Sequence, residues 1–355
     1  MRGRINPLDR SGPAKATPVF GEMNMVDTEL RGGPGGNTIL RRLGATGIFI
    51  TPIGLGTWQF SEGKGGAAGT WSTVPEPETD AIVRAALDGG IRWFDTAEIY
   101  GYGRSERGLA RALARGGIAN GQVVIATKWN PLFRRANSIR TTIAARLECL
   151  RPFGIDLHQV HFPASFSSVE AEMNAMADLI EQGRIKAAGV SNYSARLMRR
   201  AHEALRKRGC CLASNQVKYS VLDRRIETNG TLQAARELGI TIIAYSPLEM
   251  GLLSGKFQRD PSLLQKLPIV RRLRLRHLMK RSRPLVEALE RIGSPHGASA
   301  PQVALNWLVN FSGPTVVTIP GATKVRHAEE TAGALRFELT RDEMDEIDRI
   351  SRAAR

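Results

Sequence analysis

The chain has 355 residues, 42% of them hydrophobic and 24% charged, and 50 Lys and Arg against 34 Asp and Glu leave a net charge of +16. This composition excludes a disordered or collagen-like chain, and no run reaches the roughly 18 apolar residues that a membrane-spanning helix requires. Three cysteines, Cys149 and the adjacent Cys210 and Cys211, exclude a disulfide framework and suit reduced thiols in a cytoplasmic protein. Neither CxxC nor HExxH occurs, so no metal site is expected.

Residues 1–37 are rich in Gly, Pro and charge and end in Arg31-Gly-Gly-Pro-Gly-Gly-Asn37. They read as a disordered arm that buries too little apolar surface to order itself, and they lack the apolar stretch of a secretory leader. Residues 38–355 read as one domain. Ile39–Leu43 and Ile48–Thr51, separated by Gly44 and Gly47, suit a hairpin. Strands are then expected at Pro52–Thr57, Ile91–Thr96, Gln122–Lys128, Ile155–His161, Ile185–Ser191, Ala213–Val217, Thr241–Ser246 and Val316–Ile319. Between and after them lie helical patterns near 76–89, 104–115, 137–150, 168–182, 194–208, 229–238, 298–310 and 341–353. Asn137 or Ser138, Ser194 and Thr340 read as caps, the last with Glu343 as a capping box. Strands alternating with helices in this number predict an α/β protein, a (β/α)8 TIM barrel with an N-terminal β-hairpin cap and long loops at its C-terminal face. Two stretches break the rhythm: the Gly-rich segment from Phe60 to Ser72, and a long basic insertion over 254–283, read as a loop or lid.

In such a barrel the chemistry sits where strands end. Asp95 lies at the end of the second strand and Tyr100 just beyond it, Lys128 ends the third and His161 ends the fourth. These four make an acid–base set. A lysine beside a phenol favours the phenolate, so Tyr100 is expected to have a lowered pKa and to donate a proton near neutral pH. Asp95 would hold Lys128 charged, and a neutral His161 would orient a carbonyl oxygen. Gly101-Tyr-Gly103 resembles a phosphate-binding glycine loop only superficially, because it follows the strand that bears the acid instead of opening a βαβ unit.

From about Leu40 to Ile350 the chain resembles the aldo-keto reductase family. The words that carry the resemblance are Gly54-Leu-Gly-Thr-Trp58, Trp93-Phe-Asp-Thr-Ala-Glu-Ile-Tyr-Gly101, Ala126-Thr-Lys128, Asp156-Leu-His-Gln-Val-His161, Gly189-Val-Ser-Asn-Tyr193, Ser214-Asn-Gln216, Ala244-Tyr-Ser-Pro-Leu248 and Ile319-Pro-Gly321. Leu212–Ser220 and Val325–Glu330 are similar to a branch that includes plant plastid pyridoxal reductases and bacterial relatives. The resemblance implies a catalytic tetrad of Asp95, Tyr100, Lys128 and His161, with Tyr100 as general acid, and an extended NADPH. Ser191, Asn192 and Gln216 would hold the nicotinamide carboxamide and Tyr245 would stack on the ring. Ser246, Pro247, Leu248, Gly251 and Leu253 would line the pyrophosphate tunnel. Lys324 and His327 would meet the 2′-phosphate and Glu330 the adenine, with Gly56, Thr57, Trp58 and Gly321 completing the cofactor contacts. Trp58, Trp129 and Phe162 would wall the substrate pocket. Three positions depart from the usual pattern: Glu249, Thr331 and Phe162.

The implied activity is NADPH-dependent reduction of aldehydes and ketones to alcohols, with pyridoxal or aromatic aldehydes as substrates. The alternative is an NADPH-binding, redox-sensing barrel with little turnover, as the potassium-channel β-subunits of the same fold illustrate. The expected partner is a small carbonyl compound, and no membrane partner is expected. Nucleic acid is not expected despite the charge, because no aromatic side chain interleaves the Arg271–Arg283 run.

Overall fold

The computed structural model describes residues 29–31, 39–64, 73–267 and 269–354. Its strands are β1 (Glu29–Arg31), β2 (Ile39–Arg42), β3 (Phe49–Ile50), β4 (Leu55–Gly56), β5 (Trp93–Asp95), β6 (Val124–Trp129), β7 (Leu157–Val160), β8 (Ala187–Ser191), β9 (Leu212–Lys218), β10 (Thr241–Tyr245) and β11 (Val316–Thr318). Its helices are α1 (Glu76–Asp88), α2 (Arg104–Arg115), α3 (Asn137–Leu150), α4 (Val169–Glu181), α5 (Ala195–Arg206), α6 (Thr231–Glu237), α7 (Lys256–Arg259), α8 (Ile269–Gly293), α9 (Ala300–Phe311), α10 (Val325–Gly333) and α11 (Arg341–Ala353).

Strands β4 to β11 form one parallel sheet of eight in sequence order. Gly54 N donates to Thr318 O (2.9 Å) and Thr318 N donates to Pro52 O (3.0 Å), so the last strand returns to the first and the sheet closes. Period-two alternation then sorts each strand. Trp93, Ala126, Leu157, Ala187 and Ile243 point inward near the strand starts and build an apolar plug, which the hairpin caps with Leu43 and Ile50. Two residues further along the same inward rows stand Asp95, Lys128, Gln159, Gly189 and Tyr245. The outward residues, such as Phe94, Ile125, Val160 and Ile242, pack under the helices in the main core. The interior is thus apolar at one end and polar at the other.

The capping box at Thr340 forms, with Glu343 N donating to Thr340 Oγ1 (3.3 Å), and Ser194 caps α5. At α3 no side-chain cap is made, and Ser138 instead accepts a hydrogen bond from the Trp129 indole (3.0 Å).

Three expectations change. Most of the 1–37 arm lies outside the described residues, but Glu29–Arg31 is a strand, paired antiparallel with the edge of β2. An open hairpin edge offers unpaired backbone groups to any short extended segment. The 254–283 insertion is not a loop: it contains α7, a 3-10 turn at Pro261–Leu264 and most of α8. Its dense arginines and the internal Pro284 conceal an apolar row, Leu275, Leu278 and Met279, that packs with Phe257 and Leu264 in a small core of its own. The eighth barrel helix is α10, unread from sequence, and α11 is an addition beyond the barrel. Residues 65–72 of the Gly-rich segment lie outside the described residues.

Candidate active site

The C-terminal face opens into a cavity of about 1240 Å³. Backbone in the left-handed region clusters around it: Asn192 (φ 61°), Ser246 (φ 54°), Glu249 (φ 47°) and Met250 (φ 56°). Such conformations cost on the order of 1–3 kcal/mol each for side-chain-bearing residues and persist where surrounding contacts over-determine them. Glu249 shows how: its carboxylate is buried and accepts from Ser220 Oγ (2.9 Å) and Lys218 Nζ (2.8 Å). The departure from a small residue here is therefore compensated.

At one end of the cavity the acid–base set assembles. Lys128 is fully buried; its ammonium pairs with Asp95 Oδ1 and donates to Thr96 O (2.9 Å) and to the Tyr100 hydroxyl (3.4 Å). Asp95 Oδ2 accepts from Gln216 Nε2 (2.9 Å) and Gln159 Nε2 (3.2 Å), so both carboxylate oxygens are held. Tyr100 is carried on a turn in which Gly101 sits at φ +66°, and a Cβ there would meet Ser61 O at 2.5 Å. The His161 ring meets Tyr100 edge-on (centroids 5.6 Å apart) and stacks on Phe162 (4.3 Å).

Burial raises the Lys128 problem and its partners solve it: desolvation alone would lower the lysine pKa, but Asp95 and the phenol oxygen outweigh it and the net shift is upward. Tyr100 departs from expectation. Burial pushes its pKa above the ordinary 10.0, and the opposing pull of Lys128 does not overcome this. The phenol is therefore a proton donor that stays protonated well past neutrality. His161 is held neutral, far below 6.5, by burial first and by the Lys128 charge second. Its Nδ1 is buried and has no hydrogen-bond partner among the described residues. A protonated phenol and a neutral imidazole facing one cavity can together hydrogen-bond a carbonyl oxygen and supply it with a proton.

The trio expected to hold a carboxamide is occupied internally. Ser191 Oγ donates to Gln216 O (2.8 Å), Asn192 Nδ2 donates to His161 O (3.2 Å), and Tyr245 Oη donates to Asn192 Oδ1 (3.0 Å). Gly56, Thr57, Ser246, Pro247, Leu248 and Gly251 also line the cavity, as does Trp58, which lies beside Tyr100 (centroids 6.2 Å apart). Gly321, Lys324, His327, Glu330 and Thr331 line the far end. Two of the cofactor and substrate contacts expected from sequence do not line it. Trp129 is wholly buried among core residues, because its position on β6 points outward, under α3. Leu253 is buried in the main core as well.

The far end is basic, and sequence reasoning missed half of it. Lys256 and Arg271, both from the insertion, face the cavity with Lys324 and Arg326. Among the described residues no carboxylate pairs with Lys256, Lys324 or Arg326. Burial lowers the Lys256 pKa, and Arg271, Arg326 and Lys324 lower it further. Arg271 Nη2 donates to Met250 O (2.7 Å), tying α8 to the strained turn. His327 is not one of these cations, for burial and its cationic neighbours depress it to about 4. Gly251, at φ +89°, lies beside this group, and a Cβ there would come within 3.4 Å of Lys256 Nζ. The ammonium and guanidinium groups of Lys256, Lys324 and Arg326, none of them paired with a carboxylate among the described residues, fit a phosphate-bearing group.

Residues 52–352 match the Aldo/keto reductase family. The chain belongs to that family. A chloroplastic pyridoxal reductase of Arabidopsis thaliana is 33% identical over 316 residues, covering 85% of this chain and 83% of the plant protein. An uncharacterised oxidoreductase of Mycobacterium bovis is 37% identical over 309 residues, covering 86% and 91%. Among solved structures, a thermostable aldo-keto reductase in complex with the inhibitor epalrestat superposes with a TM-score of 0.69 at 30% identity, covering 88% of this chain and 99% of that one. A glycerol dehydrogenase from Gluconobacter oxydans gives 0.69 at 26% identity, covering 88% and 94%. The barrel and its oxidoreductase class are thereby fixed. Among the described residues no helix is long and apolar enough to cross a membrane, and no cluster of potential metal ligands occurs.

Proposed function

We propose that this aldo-keto reductase reduces uncharged aromatic aldehydes with NADPH, in the cytoplasm, where its three free thiols would stay reduced. The observation that carries the reading is the buried Asp95–Lys128–Tyr100 chain beside a neutral His161 at one end of a cavity whose other end gathers Lys256, Lys324 and Arg326. NADPH, when bound, supplies a hydride. Tyr100 then donates its proton to the oxygen of the reduced carbonyl, Lys128 stabilises the phenolate left behind, and Asp95 fixes the ammonium in place. His161 hydrogen-bonds the carbonyl oxygen and orients it. Lys256, Lys324 and Arg326 would hold the 2′-phosphate by charge-assisted hydrogen bonds, which favours NADPH over NADH.

The substrate class follows from what the catalytic end lacks. Trp58, Ile99 and Phe162 line it with Tyr100 and His161, and the cavity's cations all come from the segments around α7, α8 and α10. A phosphate or carboxylate on the substrate would find no counter-charge there. Aromatic rings gain about 0.5–1.5 kcal/mol from stacking beyond area burial. Steady-state kcat/KM with pyridoxal, 4-nitrobenzaldehyde, hexanal and methylglyoxal tests this. Pyridoxal or 4-nitrobenzaldehyde is expected to lead; a tenfold lead for hexanal or methylglyoxal contradicts it. Sustained multiple turnover is expected, whereas a single oxidation of bound NADPH would favour the redox-sensing alternative.

A further inference from the structure

The outer face of α8 serves neither the cavity nor the core. Between Asp260 and Glu287 the chain has no acid and eight Lys and Arg. At 100° per residue the helix sorts them cleanly. Leu275 and Ser282 are buried and Leu278 and Met279 pack beside them. Roughly 100° around the helix from them, Arg272, Arg276, Lys280 and Arg283 fall in one row, about 16 Å long at 1.5 Å per residue. Arg276, Lys280 and Arg283 are exposed, and Ile269 (62% exposed) and Leu273 (60%) share their face.

Many of this protein's surface arginines are neutralised by carboxylates. Arg111 pairs with Glu76 (2.8 Å), Arg200 with Glu170 (2.9 Å), Arg206 with Glu203 (2.8 Å), and Arg199 with Glu237. On the α8 row no carboxylate pairs with Arg272, Arg276, Lys280 or Arg283 among the described residues. Like charges four apart on a helix repel each other, so an external field of anions would relieve a cost that the fold leaves standing.

We propose that this face docks the enzyme onto an anionic lipid bilayer. A straight row of cations suits a flat sheet of phosphates. The two aliphatic side chains in the row favour lipid over nucleic acid, since they gain by entering the headgroup–acyl boundary, and no aromatic ring is present in the row to stack on bases. Each cation at such a surface strengthens partitioning by about fivefold.

Vesicle co-sedimentation tests the proposal. The full-length protein is expected to bind vesicles of equal parts phosphatidylglycerol and phosphatidylcholine, to ignore pure phosphatidylcholine, and to be released at about 0.5 M salt, where screening is strong. The triple variant R276S/K280S/R283S should bind on the order of 100-fold more weakly with carbonyl reduction unchanged. Changing Ile269 and Leu273 to Ser, at constant charge, should weaken vesicle binding several-fold. A control, R111S/R199S/R206S, removes the same charge from paired sites and should bind vesicles like the parent. No binding by the parent, equal loss in both triple variants, or tighter binding to a duplex oligonucleotide than to anionic vesicles would overturn the proposal.

Discussion

The two ends of the cavity solve opposite problems. At the catalytic end every charge is buried and matched: Lys128 meets Asp95, and Asp95 meets two glutamines. At the other end Lys256, Lys324 and Arg326 face one another, and burial first and the neighbouring cations second lower the Lys256 pKa. The first end is organised before any ligand arrives, as a site that must place a proton accurately requires. The second is completed only by an anion. Binding strength and chemistry should therefore separate along the cavity.

The largest effect should come from breaking the matched end. Lys128→Met leaves the Asp95 carboxylate buried without its cation, which costs on the order of 3–5 kcal/mol of stability, and it should lower kcat by about 10²–10⁴-fold. Adding Asp95→Asn should restore much of the melting temperature but none of the activity. Recovery of activity would mean that the pair is structural only. At the unmatched end, changing Lys256 and Lys324 to Ser should raise KM for NADPH by about 10–100-fold, from the loss of charge-assisted hydrogen bonds, with kcat and the NADH parameters nearly unchanged. Equal effects on both cofactors would move the phosphate elsewhere.

The pH profile tests the catalytic end without mutation. A group that must donate a proton works below its pKa, and that of Tyr100 lies above 10.0, while that of His161 lies below 6.5. The kcat for reduction should therefore be flat from pH 6.5 to 10, and alcohol oxidation, which needs the phenolate, should still be rising at the upper limit. A falling limb for reduction near pH 8 would place the Tyr100 pKa where sequence reasoning first put it. The smallest effect belongs to the rim: Phe162→Ala should cut the preference for an aromatic over an aliphatic aldehyde by a few-fold to about tenfold.

Sequence and structure agree where local pattern decides. The four residues were legible because they stand at or just past strand ends: Asp95 and Lys128 follow the inward Trp93 and Ala126 by two, His161 directly follows β7, and Tyr100 lies in the loop after β5. By the same alternation Trp129 had to point outward, one residue after the inward Lys128, and it does. The Tyr100 pKa was misjudged because a neighbouring charge is visible in sequence and the depth of burial is not. Lys256 and Arg271 were hidden for a different reason. They reach the cavity through a turn with Glu249 and Met250 in left-handed backbone, a geometry that tertiary contacts impose and no local propensity announces.

The central claim is that one buried phenol supplies the proton. Tyr100→Phe keeps the ring and the packing and removes only the hydroxyl that Lys128 contacts at 3.4 Å. The decisive measurement is carbonyl reduction by this variant alongside its NADPH affinity, read by fluorescence titration. The account predicts unchanged affinity and a loss of about 10²–10⁴-fold in kcat. Near-parental kcat with intact NADPH binding would contradict it.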